Sequence, residues 1–163
     1  MLGFIPEDVC LLLDQTLELA ASDYNLKKKF DFKNIQIQKE YAQDLPQILC
    51  KASELQQVFL NILKNGAHAM FDIKKDTYSP QFILRSYREE TMVCIEIENN
   101  GPKIDEESKK RLFEPFFTTK PVGEGTGLGL SVSYFLVVKD HKGELTVESS
   151  LDSNTKFIIK LPL

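Results

Sequence analysis

The sequence predicts an α+β fold in which a layer of helices packs on a mixed or antiparallel sheet. The long central segment repeats apolar residues at helical spacing, whereas two later pairs of short segments alternate apolar and polar residues as paired strands do. Helices and strands do not alternate strictly along the chain, which argues against a parallel βαβ arrangement. A length of 163 residues suits one domain, and we expect residues 1–163 to form a single unit.

The first half of the chain is predicted to hold two helices with a strand between them. Residues 6–20 show helical spacing, and Pro6 suits a first turn. Alternation over 30–37 predicts a strand, and a break follows at 44–46. The strongest helix is predicted over 53–71, where the apolar stripe consists of Leu55, Val58, Phe59, Ile62, Leu63 and Gly66.

A hairpin is predicted to follow the central helix. Residues 82–87 and 92–97 have the pattern of consecutive strands, and the Asn-Asn-Gly-Pro segment at 99–102 stops the second one. Asp105 is a candidate N-cap for a short helix that ends before Pro115.

The last part of the chain is predicted to hold one more helix and a strand pair. An apolar helix is expected over 128–140, and Gly143 closes it. Alternating segments on either side of a turn at 150–154 predict the two final strands.

The composition excludes several classes of protein. A hydrophobic content of 42% with 27% charged residues is typical of a folded chain rather than a disordered one. The net charge of −4 argues against a nucleic-acid partner, which calls for a basic surface. The most apolar stretch, 134–138, is far shorter than the roughly 18–20 residues of a membrane span. No direct membrane contact and no secretory signal are therefore expected.

Three widely spaced cysteines, Cys10, Cys50 and Cys94, fit neither a disulfide framework nor a zinc site. We expect buried free thiols in a reducing compartment.

A glycine-rich segment precedes the predicted helix over 128–140. Residues 123–130, Gly-Glu-Gly-Thr-Gly-Leu-Gly-Leu, place four glycines at alternate positions. Glycine permits close backbone approach, and a helix start offers free N–H groups to an anion such as phosphate. The segment is not a Walker loop, because no Lys-Ser or Lys-Thr pair follows its last glycine. It opens no Rossmann unit either, since no strand precedes it. A flexible lid without a ligand stays open as the alternative.

Asn61 and Asn65 lie four residues apart on one face of the predicted central helix, beside its apolar stripe. An amide oxygen is a hard ligand that can hold Mg²⁺ directly or through water. Asparagine is a poor helix former, so two within one helix suggest a role in binding. A pair of ordinary surface residues is the alternative.

Two further segments could complete a site for a nucleotide. In the segment 98–104, amides and a glycine at a strand end can reach the edge of a base, and Ile104 could pack on its ring; a plain turn is the alternative. The segment 112–120 holds three aromatic residues, which core packing would also explain. Its last residue, Lys120, could meet phosphate charge.

In this order the segments resemble the motifs of the nucleotide-binding domain of two-component sensor histidine kinases, within the GHKL ATPase superfamily. The resemblance joins residues 55–70 to the N box, 99–104 to the first glycine box, 112–120 to the F box, 123–130 to the second glycine box and 154–157 to the closing motif. It covers nearly the whole chain. It implies the Bergerat fold, a mixed, mostly antiparallel sheet covered on one face by helices, with ATP and Mg²⁺ bound.

The resemblance also implies roles for individual residues. Asn65 would bind Mg²⁺, while Asn61 and Lys120, the two catalytic candidates, would orient the phosphates and meet their charge. Asn99 would contact the adenine amino group, and Thr155 would act through water. The other nucleotide-binding candidates are Ala69, Gly101 and Ile104 around the base, and Thr119, Gly125, Thr126, Gly127, Leu128, Gly129 and Leu130 around the phosphates.

The sequence departs from the family's pattern at four places. Asn99 stands where the family usually has Asp, so its contact to the base lacks a charge. Lys103 replaces the second glycine of that box, and the short stretch 120–125 implies a minimal lid. Asn61 stands where ATP-hydrolysing members carry a glutamate base. Because an amide cannot act as a general base, a dedicated ATPase is disfavoured.

The implied function is a catalytic domain that presents the γ-phosphate of ATP to a histidine on a separate helical dimerisation domain, with a response regulator downstream. Neither His68 nor His141 fits the phosphoacceptor pattern, so autophosphorylation of this chain alone is not expected. We expect His68 to have a structural or helix-surface role, with a place near the phosphates or the acceptor as the alternative, and His141 to be a structural cation at a helix end. A monomeric, cytoplasmic fragment of a larger kinase, which could itself be membrane-anchored, is expected. Another GHKL kinase or ATPase, or a degenerate docking module, stays as the alternative.

Overall fold

The computed structural model describes residues 2–23, 32–118, 128–150 and 153–163. In this part of the chain the helices are α1 (Val9–Ser22), α2 (Ala52–Phe71), α3 (Glu106–Arg111) and α4 (Gly129–Tyr134), and α4 continues as a π-helical segment over Phe135–Asp140. The strands are β1 (Ile5–Glu7), β2 (Gln36–Tyr41), β3 (Ile48–Cys50), β4 (Gln81–Glu89), β5 (Met92–Asn99), β6 (Glu144–Ser150) and β7 (Ser153–Pro162).

Five strands form the main sheet of the described residues, in the order β2-β4-β5-β7-β6. The edge strand β2 runs parallel to β4, and every other neighbouring pair is antiparallel. A mixed, mostly antiparallel sheet with helices on one side is the architecture that the sequence predicts, and the fold class is therefore confirmed. Because β5 lies at the centre, its end is flanked by two neighbouring strands, β4 and β7.

One face of the sheet forms the hydrophobic core. The α2 residues Phe59, Ile62 and Leu63 are fully buried, and they belong to the same core cluster as Ile95 of β5 and Phe157 of β7. Burying large apolar side chains of this kind stabilises a fold by roughly 1.5–3 kcal/mol each.

The opposite face of the sheet carries charged side chains that pair across the strands. Arg85 of β4 lies 2.7 Å from Glu98 and 3.0 Å from Glu40. Glu96 accepts a hydrogen bond from the Tyr87 hydroxyl at 2.6 Å and lies 3.5 Å from Lys156. The polar groups of this face pair with one another, so the face needs no covering helix.

The central helix α2 approaches the sheet most closely at Gly66. A Cβ added there would lie 2.7 Å from Cε1 of Phe82 on β4 and 3.1 Å from Nδ2 of Asn99 at the end of β5. Real Cβ atoms essentially never lie that close to another heavy atom, so only glycine fits without displacing the Phe82 ring.

The predicted elements of the central region are confirmed. The long helix, the β4–β5 hairpin and the β6–β7 pair occur where the patterns place them. Asp105 caps α3, as its position predicts, and its carboxylate accepts a hydrogen bond from the Ser108 N–H at 2.7 Å. That bond lowers the pKa of the Asp105 carboxyl.

The predicted boundaries near the N-terminus are wrong in two places. Pro6 lies in β1, which pairs with β3, and α1 begins only at Val9 because Asp8 accepts hydrogen bonds from the first free N–H groups. The strand predicted over 30–37 begins at Gln36, since Phe32 belongs to a 3₁₀ turn and stacks on Phe82 in the core. Residues 24–31 lie outside the described part.

The end of α4 shows why His141 is buried. Its ring Nε2 accepts the backbone N–H of Lys51 at 3.1 Å, and its Nδ1 lies 2.9 Å from the carbonyl oxygen of Leu136. Nε2 must be an acceptor and Nδ1 a donor, which is the neutral ring. The predicted cation is therefore wrong, although the ring does tie α4 to the start of α2. Gly143 closes this segment, because its N–H donates to Val137.

The cysteines are free thiols within the described chain, as predicted. Cys50 and Cys94 are buried, whereas Cys10 is only partly so, with its sulfur 3.2 Å from the Ser86 hydroxyl. Burial raises the pKa of the Cys50 thiol to about 11. None of the described helices combines the length and the apolar character that crossing a bilayer requires.

The close contact at Gly66 predicts a measurable loss of stability. Gly66→Ala should lower the free energy of unfolding by about 1–3 kcal/mol, since the overpacking outweighs the better helix propensity of alanine. Urea denaturation measures it. The matched control is Gly129→Ala at the start of α4, where an added Cβ would have ordinary contacts, the nearest at 3.8 Å to Asn61. Equal changes in the two variants would contradict the close packing.

Candidate nucleotide-binding site

A cavity of about 320 Å³ opens between the second half of α2, the end of β5 and the segment that leads into α3. This volume lies at the small end of the range for small-molecule sites, roughly 300–1,000 Å³. The cavity is lined by Asn65, Ala69, Asp72, Asn99, Pro102, Lys103, Ile104, Asp105, Ser108, Leu112 and Thr155. Three parts of the chain that are distant in sequence thus supply the walls: the end of α2, the segment from the end of β5 into α3, and Thr155 of β7.

The helix α2 supplies Asn65 and Ala69. These residues are four positions apart, so both side chains lie on the same face, next to the buried stripe that packs on the sheet. Both are only partly buried, which leaves the Asn65 amide accessible from the cavity.

Asn99, the last residue of β5, lines the cavity and is only 4% exposed. Its side-chain oxygen accepts a hydrogen bond from the Gly101 N–H at 2.9 Å, which turns the chain sharply at the end of the strand. Gly101 is required by this turn, since a Cβ there would lie 2.9 Å from the same oxygen.

Thr155 lies directly opposite Asn99 on β7, and its hydroxyl is part of a short polar chain. Thr155 Oγ1 is 2.9 Å from the Ser149 hydroxyl, and Ser149 accepts the Ile104 N–H at 3.1 Å. Ser149 thereby holds the wall segment that carries Ile104. Sequence reasoning missed Ser149, and nothing in the local pattern of β6 signals its partner.

Asn100 is a second residue whose role sequence reasoning missed. Its side-chain oxygen accepts the Gln81 N–H at 2.9 Å and the Tyr78 hydroxyl at 3.0 Å, and its amide donates to the Ser79 carbonyl at 2.9 Å. It fastens the segment before β4 to the end of β5. The adjacent Asn-Asn pair was the available signal, but only the structure separates the two amides by function.

Asn61 lies away from the cavity, on the contact between α2 and α4. Its amide nitrogen donates to the carbonyl oxygen of Gly129 and to the Ser133 hydroxyl, both at 3.1 Å. It therefore positions the first turn of α4, where the predicted phosphate-binding segment ends. Leu128 is exposed and Leu130 partly buried there.

The other candidates for phosphate binding lie outside the described residues: Thr119, Lys120, Gly125, Thr126 and Gly127. His68 is partly buried on α2 and does not line the cavity.

Charged groups of both signs rim the cavity. Lys103 is exposed on one wall, and Asp72 and Asp105 lie on others, although Asp105 is engaged as the cap of α3. In the described part of the chain, no group of three or more His, Cys, Asp or Glu residues could hold a metal ion by itself. The Asn65 oxygen suits Mg²⁺ bound mainly by phosphates, because Mg²⁺ commonly takes few protein ligands beside phosphate and water.

Comparison with known proteins relates this geometry to a family. The model of the family described as histidine kinase-, DNA gyrase B- and HSP90-like ATPase matches residues 50–163. Sporulation kinase E of Bacillus subtilis is 37% identical over 155 residues, which is 95% of this chain and 19% of that protein. The sensory histidine kinase/phosphatase NtrB of Rhizobium leguminosarum is 30% identical, over 97% of this chain and 41% of its own length. The chain thus spans less than half of these relatives.

Solved structures match over nearly the whole chain. The catalytic domain of the histidine kinase ThkA superposes with a TM-score of 0.77 at 26% identity, covering 98% of this chain and 97% of that domain. A structure of ThkA in complex with the response regulator protein TrrA has the same fold in its matched part, with a TM-score of 0.72. On the family match and this shared fold, the chain belongs to the histidine kinase-, DNA gyrase B- and HSP90-like ATPases and is built as the ATP-binding catalytic domain of a histidine kinase.

Proposed function

We propose that this chain binds Mg²⁺ and ATP in the cavity beside α2 and presents the γ-phosphate to a histidine on a separate helical domain. The observation that carries the proposal is that Asn65, Asn99 and Thr155, from three distant parts of the chain, line one cavity. Amides and hydroxyls arranged around a partly apolar wall are typical of sites that orient a small ligand.

Residues in different parts of the cavity would contact different parts of the nucleotide. Asn99 and Thr155 would lie at the edge of the base, and Ala69 and Ile104 would pack against its faces. Asn65 would lie toward the phosphates and hold Mg²⁺, which neutralises phosphate charge. Asn61, through Gly129 and Ser133, would keep the start of α4 close to that end.

The acceptor of the phosphoryl group is proposed to lie on another domain. Asn61 is an amide and cannot activate water, so hydrolysis has no base at that position. Phosphoryl transfer needs mainly alignment and charge neutralisation, and the attacking group can come from the acceptor. His141 is buried within the fold and cannot serve. The proposed partners are a helical phosphoacceptor domain and, indirectly, a response regulator in the cytoplasm, in keeping with the relative named as a sensory histidine kinase/phosphatase.

Transfer of labelled phosphate tests this proposal. Incubation with ATP labelled at the γ-phosphate, together with a helical phosphoacceptor domain from the parent kinase, should label the acceptor with the acid-labile, base-stable linkage of phosphohistidine. No label is expected on the chain alone or on an acceptor whose histidine is replaced by glutamine. Acid-stable label on serine or threonine, or steady phosphate release without the acceptor, would instead support another kinase or an ATPase.

The role of Asn65 predicts a specific change in metal dependence. Asn65→Ala should remove the gain in ATP affinity that Mg²⁺ produces, because the metal loses its protein ligand while the base contacts persist. Calorimetric titration with a non-hydrolysable ATP analogue, with and without Mg²⁺, measures this gain. Gln57→Ala, on the exposed face of the same helix, is the control and should keep it. An unchanged gain in Asn65→Ala would remove the assignment.

A further inference from the structure

The orientation of the Asn99 amide is determined by its neighbour. The backbone N–H of Gly101 can only donate, and the Asn99 atom 2.9 Å from it must therefore be the oxygen. A rotated amide would set two N–H groups against each other. The nitrogen Nδ2 consequently occupies the other position, beside Gly66 of α2, where a Cβ would lie only 3.1 Å away.

The hydrogen atoms of this nitrogen are unused in the described part of the chain. The Asn99 side chain is more than nine-tenths buried, yet Nδ2 has no hydrogen-bond partner among the described residues. Within that part of the chain, the fully enclosed side-chain atom that lacks a partner is Oε1 of Glu54, at the far end of α2. Nδ2 is therefore not enclosed by protein, and the cavity that Asn99 lines is the space onto which it opens.

Purines with an amino group at position 6 and purines with an oxo group there offer different partners to such a group. Adenine carries an amino group at position 6, which donates hydrogen bonds, whereas hypoxanthine carries a carbonyl oxygen there, which accepts them. An amide N–H therefore faces a like donor in adenine and a partner in hypoxanthine. A carboxylate at the same position would favour the amino group.

Resting on the proposed function, we propose that Asn99 sets the base specificity of this site and admits 6-oxopurine nucleotides, those of hypoxanthine, at least as well as adenine nucleotides. The two bases have almost the same shape, so the cavity accommodates either without rearrangement. Because N1 accepts in adenine but carries a hydrogen in hypoxanthine, the contribution of position 6 is isolated by the change in preference that Asn99→Asp produces.

Competition between two diphosphates tests the proposal in the presence of Mg²⁺. In the unmodified chain, inosine diphosphate should bind at least as tightly as ADP. In Asn99→Asp, ADP should bind more tightly and inosine diphosphate more weakly, and the ratio of the two dissociation constants should shift by about tenfold or more. Gln57→Glu adds the same charge on the exposed face of α2, outside the cavity, and should leave the ratio unchanged.

A third nucleotide makes the test independent of how Asn99→Asp folds. Purine riboside diphosphate has no group at position 6, so in the unmodified chain it should bind no more weakly than ADP and more weakly than inosine diphosphate. A preference for ADP of more than about tenfold over both other nucleotides would overturn the proposal, as would an unchanged ratio in a folded Asn99→Asp. Failure of all three nucleotides to bind would contradict the proposed function itself, and the inference with it.

Discussion

The close approach of α2 to the sheet at Gly66 determines where the helix lies relative to the strand ends that form the cavity. Without a Cβ at this position, the ring of Phe82 and the amide of Asn99 both reach the helix backbone. The residue before Gly66 and the one three positions after it, Asn65 and Ala69, then face the space beyond the strand ends. A larger residue would separate the helix from β4 and β5 and would move the wall that Asn99 forms. The cavity is therefore a consequence of how tightly one turn of helix packs.

Both faces of the sheet stabilise the fold, whereas the ends of its strands form the candidate site. The inner face is apolar and anchors α2, while the outer face holds the network around Arg85, Glu96 and Glu98. Burial opposes the charge on Glu98, but hydrogen bonds from Arg85 and Asn154 prevail and lower the pKa of its carboxyl. The stabilisation it provides is present above the ordinary pKa of a glutamate and is lost as the pH falls through the lowered value. At neutral pH the charged groups of the outer face are paired with one another. The site is formed instead at the ends of β5 and β7.

Local patterns predict the elements that are long or strongly marked. The stripe of α2, the alternation of β4 and β5 and the cap at Asp105 depend on neighbouring residues, and each occurs where the sequence indicates. The strands β1 and β3 were missed because each has three residues and forms only through the other, at the pairing of Ile5 with Cys50. The His141 ring accepts a hydrogen bond from Lys51, which is 90 residues away in the sequence, and no local pattern reports this contact.

In the candidate site, too, the sequence predicts some features and the structure alone shows the others. The motifs indicate which residues belong together, and the structure brings Asn65, Ala69, Asn99, Ile104 and Thr155 to one cavity. The sequence cannot report which atom of an amide faces the ligand, since this follows from the turn at Gly101. It also cannot distinguish Asn99, which lines the cavity, from Asn100, which fastens a neighbouring segment.

Nuclear magnetic resonance of the isotope-labelled chain, during titration with ADP and Mg²⁺, tests whether this cavity is the nucleotide site. Saturable changes are expected in the side-chain amide signals of Asn65 and Asn99 and in the backbone amide signals of Ile104 and Thr155. The signals of Arg85 and Lys156, on the outer face of the sheet, should stay in place. Saturable changes centred on that outer face, with the cavity signals unmoved, would contradict the assignment of the cavity as that site.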